Sequence, residues 1–101
     1  MCDLAIAADD ITVLDPHMLP GTNNVPGDGI HSCFFELMSA RDAAWYLMTG
    51  DKMTAQDLKR LGMVNEIVPR DRLMERAYEI ADMLMAQTAV NGGEILHKIR
   101  I

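Results

Sequence analysis

A histidine and an aspartate lie on one loop whose residues rule out regular secondary structure. The stretch from Asp15 to His31 reads DPHMLPGTNNVPGDGIH. Its prolines and glycines interrupt any helix or strand, which predicts an irregular, positioned loop. Loops of this length in compact domains are uncommon unless they serve a site. His17 can act as a general base near neutral pH, and Asp28 can hold its ring and stabilise the imidazolium.

Structural explanations stand beside this catalytic hypothesis. Asp28 lies in Pro-Gly-Asp-Gly, a common turn composition, and a His-Asp pair eleven positions apart meets no fixed-spacing requirement. On spacing alone, His17 is either a catalytic or a surface residue. His31 is either a solvent-facing or packed residue at a helix N-terminus, or a substrate contact.

The composition indicates a soluble globular protein. The chain has 101 residues, 50% of them hydrophobic, and a net charge of −6, which fits a single domain over residues 1–101 and argues against a nucleic-acid or anionic-membrane partner. No apolar run is long enough to span a membrane, and acidic residues occupy the place of a basic leader, so a cytoplasmic location is predicted. Cys2 and Cys33 have no metal-ligand spacing, and we expect no disulfide, metal or redox cofactor.

Hydrophobic periodicity predicts an α/β protein. The predicted order is two strands, the loop, three helices, a strand and a helix. These elements cover residues 3–8 and 11–14, then 29–39, 40–48 and 55–61, then 63–68 and 70–87, with a weak helix in the tail over 89–101. Because an isolated two-stranded hairpin is marginal in water, the leading strands need partners from another copy or from a longer chain.

Four motifs in this order resemble the crotonase superfamily, also called the enoyl-CoA hydratase/isomerase family. They are Cys2-Asp3-Leu4-Ala5-Ile6-Ala7-Ala8, Pro26-Gly27-Asp28-Gly29, Leu47-Met48-Thr49-Gly50 with the helix over 55–61, and Gly62-Met63-Val64-Asn65-Glu66-Ile67-Val68-Pro69. The resemblance implies part of a spiral of strand-strand-helix turns, assembled as trimers or multiples of trimers. It also implies an enolate stabilised by two backbone N–H groups, usually on a CoA thioester. Both donors lie upstream of the Cys-Asp strand in the family, so we expect the chain to be a middle-to-late fragment of a subunit.

One position departs from the hydratases of this family. They carry a glutamate directly after the proline, where this chain has His17. A Pro-His followed by Pro-Gly-Asp-Gly is similar to the 6-oxocamphor hydrolase branch, whose members hydrolyse β-diketones. The resemblance implies a catalytic dyad of His17 and Asp28, on a loop about two residues longer than in that branch.

The remaining site residues are predicted as substrate contacts. They are His31, Phe34 and Trp45. Phe34 and Phe35 follow the loop and are able to line an apolar pocket, although such a pair normally has one member in the core. Trp45 lies on a helix that runs under the site in the family, where core packing is the alternative.

Three functions remain open at this point. The first is cofactor-free hydrolysis of a C–C bond in a small-molecule β-diketone by His17 and Asp28. The second is a hydratase or isomerase that acts on an acyl-CoA-like thioester, against which the missing glutamate argues. The third is a catalytically inactive fragment whose strand edges drive self-association.

Overall fold

The computed structural model describes residues 2–22 and 24–91, which form two compact units that divide after Arg70. The structure is mixed α/β, so the predicted fold class is confirmed. Its elements, in chain order, are β1 (Ile6–Ala8), β2 (Thr12–Val13), α1 (Ile30–Leu37), α2 (Ala40–Thr49), β3 (Met53–Thr54), α3 (Ala55–Arg60), β4 (Glu66–Val68), a 3₁₀ turn (Arg70–Arg72) and α4 (Leu73–Asn91). That residues 1–101 act as one domain stays a prediction.

The first unit contains two small sheets. Strands β1 and β4 pair in parallel, with Ala7 opposite Ile67, and β2 pairs with β3 in antiparallel fashion, with Val13 opposite Met53. The two predicted leading strands are therefore present but shorter than expected, and they belong to different sheets. Each finds a partner within this chain, which removes the need for a second copy to supply the first pairing.

The core of the first unit lies between the three short helices and β3. Its buried side chains come from all four elements and from the turns that join them: Phe34, Met38, Ala43, Leu47, Met53, Leu58 and Leu61. Val13 of β2 packs against this cluster, so the strand that leads into the loop is anchored on the core. The loop therefore begins at a fixed position.

The N-terminus of α3 is closed by a capping box. The hydroxyl of Thr54 accepts a hydrogen bond from the backbone N–H of Asp57, and the Asp57 carboxylate accepts one from the backbone N–H of Thr54. We expect Thr54→Ala to lower the free energy of unfolding by about 1 kcal/mol, because a helix N–H loses its partner. Urea denaturation measures this loss. Thr54→Ser, which keeps the hydroxyl, is the control, and an equal loss in both variants would contradict the capping role.

The second unit contains one long helix. The sequence predicts this helix over residues 70–87, and the structure begins it with the 3₁₀ turn and continues it to Asn91. Its exposed face carries Arg-Glu pairs at helical spacing, such as Arg72 with Glu75 at 2.8 Å and Arg76 with Glu79 at 2.9 Å. The tail of the predicted helix over 89–101 lies outside the described residues from position 92 onward. None of the described helices is long and apolar enough to cross a membrane.

Candidate functional site

The loop between β2 and α1 folds back on itself around His17. Its described residues, 14–22 and 24–29, form neither helix nor strand, as the prolines and glycines predict. The backbone N–H of Asn24 donates to the carbonyl of His17 at 3.0 Å, and that of Leu19 donates to the carbonyl of Pro16 at 3.1 Å. The bond from Asn24 to His17 joins the second half of the loop, which carries Asp28, to the first half.

Asp15 is the carboxylate that holds the His17 ring. Asp15 is 3% exposed, and its Oδ1 lies 2.5 Å from Nδ1 of His17. Its Oδ2 is buried and has no hydrogen-bond partner among the residues that the structure describes. Our sequence reasoning missed this residue, although a signal was present. A residue before proline favours extended backbone, and in extended backbone residues two apart face the same side.

Asp28 approaches the opposite edge of the ring without a hydrogen bond. Its Oδ2 lies 3.7 Å from Nε2 of His17, which is an ion-pair distance but too long for a hydrogen bond. Its Oδ1 accepts the backbone N–H of Ile30 at 3.2 Å. The Asp28 side chain therefore both stabilises the turn before α1 and lies beside the His17 ring, and it is well exposed to solvent. The structure thus brings together the two residues of the predicted dyad, with Asp15 as a third member.

Two carboxylates beside one imidazole favour its protonated form. The hydrogen bond to Asp15 is the main cause that raises the pKa of His17 above its usual value. Partial burial opposes this rise, while the negative charges of Asp15 and Asp28 add to it. A larger share of His17 is therefore imidazolium near neutral pH than for a free histidine, and it is ready to donate a proton.

The loop lies against the C-terminal end of α2. Gly50 caps this helix with a φ of +66°, a conformation that side chains disfavour. A Cβ at this position would lie 2.6 Å from Cδ2 of Leu19 and 3.3 Å from the backbone oxygen of Asp15. A larger residue at Gly50 would therefore require Leu19 or the backbone of Asp15 to shift. The absence of a side chain at Gly50 is what lets the loop lie directly on the helix end.

An apolar cavity of about 370 Å³ opens beside the loop. Its described lining residues are Met18, Val25, Pro26, His31, Leu47 and Met48. His31 is thus positioned on the cavity wall, where a substrate contact is available to it. Met18, the immediate neighbour of His17, is also part of that wall. Phe34 is not among these lining residues, because it is 1% exposed and packs in the core. The structure therefore corrects its predicted position.

Trp45 lies on the surface of α2 and not in the core. Its side chain is 58% exposed, and its Nε1 donates to the Asp51 carboxylate at 2.8 Å. It lines a second, open cavity of about 440 Å³ together with Arg41, Ala44, Met48 and Thr49. Met48 belongs to the walls of both cavities, so the two form adjacent parts of one surface. Trp45 is therefore accessible to a ligand, which the core-packing alternative did not anticipate.

The ionisable groups of the site are two carboxylates and one imidazole. Within the described part of the chain, no group of three or more His, Cys, Asp or Glu side chains is arranged to hold a metal ion. The chemistry open to Asp15, His17 and Asp28 is proton transfer at Nε2 of the imidazole, on a loop that also contributes Met18, Val25 and Pro26 to the wall of an apolar cavity.

Comparison with known families agrees with the motifs. The family model for enoyl-CoA hydratase/isomerase matches residues 1–93. The chain belongs to the enoyl-CoA hydratase/isomerase family. The predicted membership of the crotonase superfamily is thereby confirmed, whereas the placement in the 6-oxocamphor hydrolase branch stays a prediction.

Individual relatives are similar over most of this chain. A mitochondrial enoyl-CoA hydratase of Pongo abelii is 30% identical over 89% of the chain, and a hydroxycinnamoyl-CoA hydratase-lyase of Pseudomonas fluorescens is 33% identical over 88%. The crystal structure of an enoyl-CoA hydratase/isomerase from Mycobacterium paratuberculosis superimposes with a TM-score of 0.77 at 31% identity over 98% of the chain. The chain spans 30%, 32% and 38% of the lengths of these three proteins.

Proposed function

We propose that the chain carries the acid–base group of an enzyme that acts on acyl-CoA thioesters, with His17 in that role. The observation that carries the proposal is the placement of the imidazole between Asp15 and Asp28, on a loop whose next residue, Met18, lines an apolar cavity. Family membership supports the substrate class, because the similar proteins are hydratases of CoA thioesters by name. The alternative hypothesis of our sequence analysis is thus favoured over the diketone hydrolase.

Hydration and double-bond isomerisation of an enoyl thioester share one chemical need. Both pass through an enolate of the thioester, and both require a group that gives a proton to a carbon of the acyl chain or takes one from it. In the hydration, water adds to the β-carbon of the enoyl thioester and loses one proton to solvent, while the His17 imidazolium gives its Nε2 proton to the enolate carbon and remains as a neutral ring bonded to Asp15. A proton from solvent then restores the imidazolium. The cavity next to Met18 is apolar, which suits an acyl chain.

The hydrolysis of a β-diketone is the second candidate, and the histidine itself favours it. In this reaction neutral His17 takes a proton from water, the hydroxide adds to one carbonyl carbon, the C–C bond breaks, and the departing enolate carbon receives the proton. Asp28, which faces Nε2 at 3.7 Å, would stabilise the imidazolium formed in the first step. The two candidates therefore begin from opposite protonation states of the same ring.

A substrate panel at several pH values tests the two candidates. The purified protein is assayed with a short 2-enoyl-CoA and with a cyclic β-diketone, each followed by the loss of its conjugated absorbance. We expect turnover of the thioester and a rate that falls as pH rises through the raised pKa of His17, because the imidazolium is the donor. Diketone cleavage with a rate that rises over the same range would establish the second candidate. Turnover of neither substrate would overturn both and leave the inactive, self-associating chain.

Assembly into a homo-oligomer, a trimer or a multiple of it, is part of the same proposal. Each sheet of the described residues has only two strands, and several large apolar side chains of the first unit are exposed, such as Val25, Phe35 and Met48. Exposed apolar groups and short sheets favour association. Light scattering of the purified protein measures the mass.

A further inference from the structure

We propose that Asp15 is the positioning residue of the site, which fixes the orientation and tautomer of His17, and that Asp28 is its outer, solvent-facing partner. The use of the imidazole in catalysis rests on the proposed function, whereas the assignment of Asp15 rests on geometry alone. The family resemblance pointed to Asp28 for this role, so the structure changes the assignment.

The contact between His17 and Asp15 determines which ring nitrogen of His17 keeps its proton in the neutral form. A carboxylate only accepts hydrogen bonds, so Nδ1 of His17 must donate to Oδ1 of Asp15 across their 2.5 Å separation. The neutral ring therefore keeps its proton on Nδ1, and Nε2 is the nitrogen that gains and loses a proton. Nε2 faces away from the protein backbone of Asp15 and toward the loop segment that holds Asp28.

Burial makes Asp15 the stronger of the two partners. Its side chain is 2% exposed, whereas that of Asp28 is 61% exposed, and water screens the outer charge far more than the inner one. Asp15 lies two residues after β2, whose Val13 packs against the core, and its backbone oxygen lies close to the end of α2 at Gly50. Asp28 by contrast is held by one 3.2 Å bond to the backbone of α1.

The second oxygen of Asp15 supports a functional role. Oδ2 is buried without a hydrogen-bond partner among the described residues, and an unsatisfied buried carboxylate oxygen is destabilising. Asp15 therefore contributes less to the free energy of folding than a fully satisfied side chain would, and the hydrogen bond that its carboxylate makes is to the ring of His17.

NMR of histidine-labelled protein tests the assignment without any substrate. The ¹⁵N shifts of Nδ1 and Nε2 of His17 are followed across pH in the wild type and in Asp15→Asn, Asp15→Ala and Asp28→Asn. The charged groups that face the ring are Asp15 and Asp28, so both are varied. We expect Asp15→Asn to lower the pKa of His17 more than Asp28→Asn does. We also expect Asp15→Ala to lose the Nδ1–H tautomer that Asp28→Asn retains.

The outcomes separate the assignment from the proposed function. A larger fall of the pKa in Asp28→Asn, or an unchanged tautomer in Asp15→Ala, would overturn the role of Asp15. If Asp15→Ala does not fold, Asp15→Asn, which keeps the shape of the side chain, decides the question through the pKa of His17. Failure of the thioester assay with these NMR results intact would refute the proposed function and leave the assignment of Asp15 standing.

Discussion

His17→Gln is expected to lower kcat/KM for the enoyl-CoA substrate by about 10²- to 10⁴-fold, the usual contribution of a positioned acid–base group. Glutamine occupies a similar volume and is able to donate a hydrogen bond to Asp15, but it does not exchange a proton near neutral pH. The structure should therefore persist while the proton transfer is lost. Steady-state kinetics measure the effect, and circular dichroism of the variant verifies that the fold is retained.

The same substitution at His31 is the matched control. His31 lies on the cavity wall but is not one of the groups at the Asp15–His17 contact, so His31→Gln should act mainly on KM and should leave the pH dependence of the rate in place. An equal loss of kcat in both variants would show that neither imidazole is specific for the proton transfer. Full activity of His17→Gln would remove His17 from the mechanism.

The second large effect is expected at Phe34, in stability rather than in catalysis. Phe34 is one of the two largest fully buried side chains described, and Phe34→Ala should lower the free energy of unfolding by about 3–5 kcal/mol because it leaves a cavity in the core. Such a loss is a large fraction of the stability of a small domain. Chemical denaturation measures it, and Phe34→Leu provides a milder variant if the alanine variant does not fold.

The neighbouring residue Phe35 provides the control for Phe34→Ala. Phe35 is 50% exposed, so Phe35→Ala should change the stability by much less than Phe34→Ala. The opposite ranking would show that α1 turns its other face to the core. A stable Phe34→Ala variant with a raised KM would restore the predicted contact between Phe34 and substrate.

Local sequence signals predicted most helices and strands correctly. They did not predict features that depend on residues far apart in the chain, such as strand pairing. Thr54 and Gly50 mark helix ends through interactions within one turn, and the predicted helices over 40–48 and 55–61 end within one residue of α2 and α3. The pairing of β1 with β4 joins residues 60 positions apart in register, such as Ile6 and Glu66, and no local pattern carries that information. Strand β3 has only two residues, too few for an alternating pattern, and the sequence predicted no strand there.

In the site as well, local signals identified some residues, whereas those that depend on tertiary packing were missed. His17 and Asp28 were found because proline and glycine mark their loop, and the fold brings them within 3.7 Å. Asp15 was missed because its importance comes from burial, which depends on the packing of β2 and α2 around it. Phe34 was assigned to a pocket although the helical spacing in α1 already placed it on the apolar face. There the periodicity was the better guide than the residue type.

The contact between Gly50 and the loop has a consequence for protein engineering. Gly50 lies directly beside Leu19 and the backbone oxygen of Asp15, so the loop that carries both the imidazole and its inner carboxylate rests on a residue without any functional group. A larger residue there would push against Leu19 and the Asp15 backbone and shift this loop, while every reacting atom stayed in the molecule. Gly50, the C-cap of α2, is therefore the position at which to change the pKa of His17 without replacing the histidine itself.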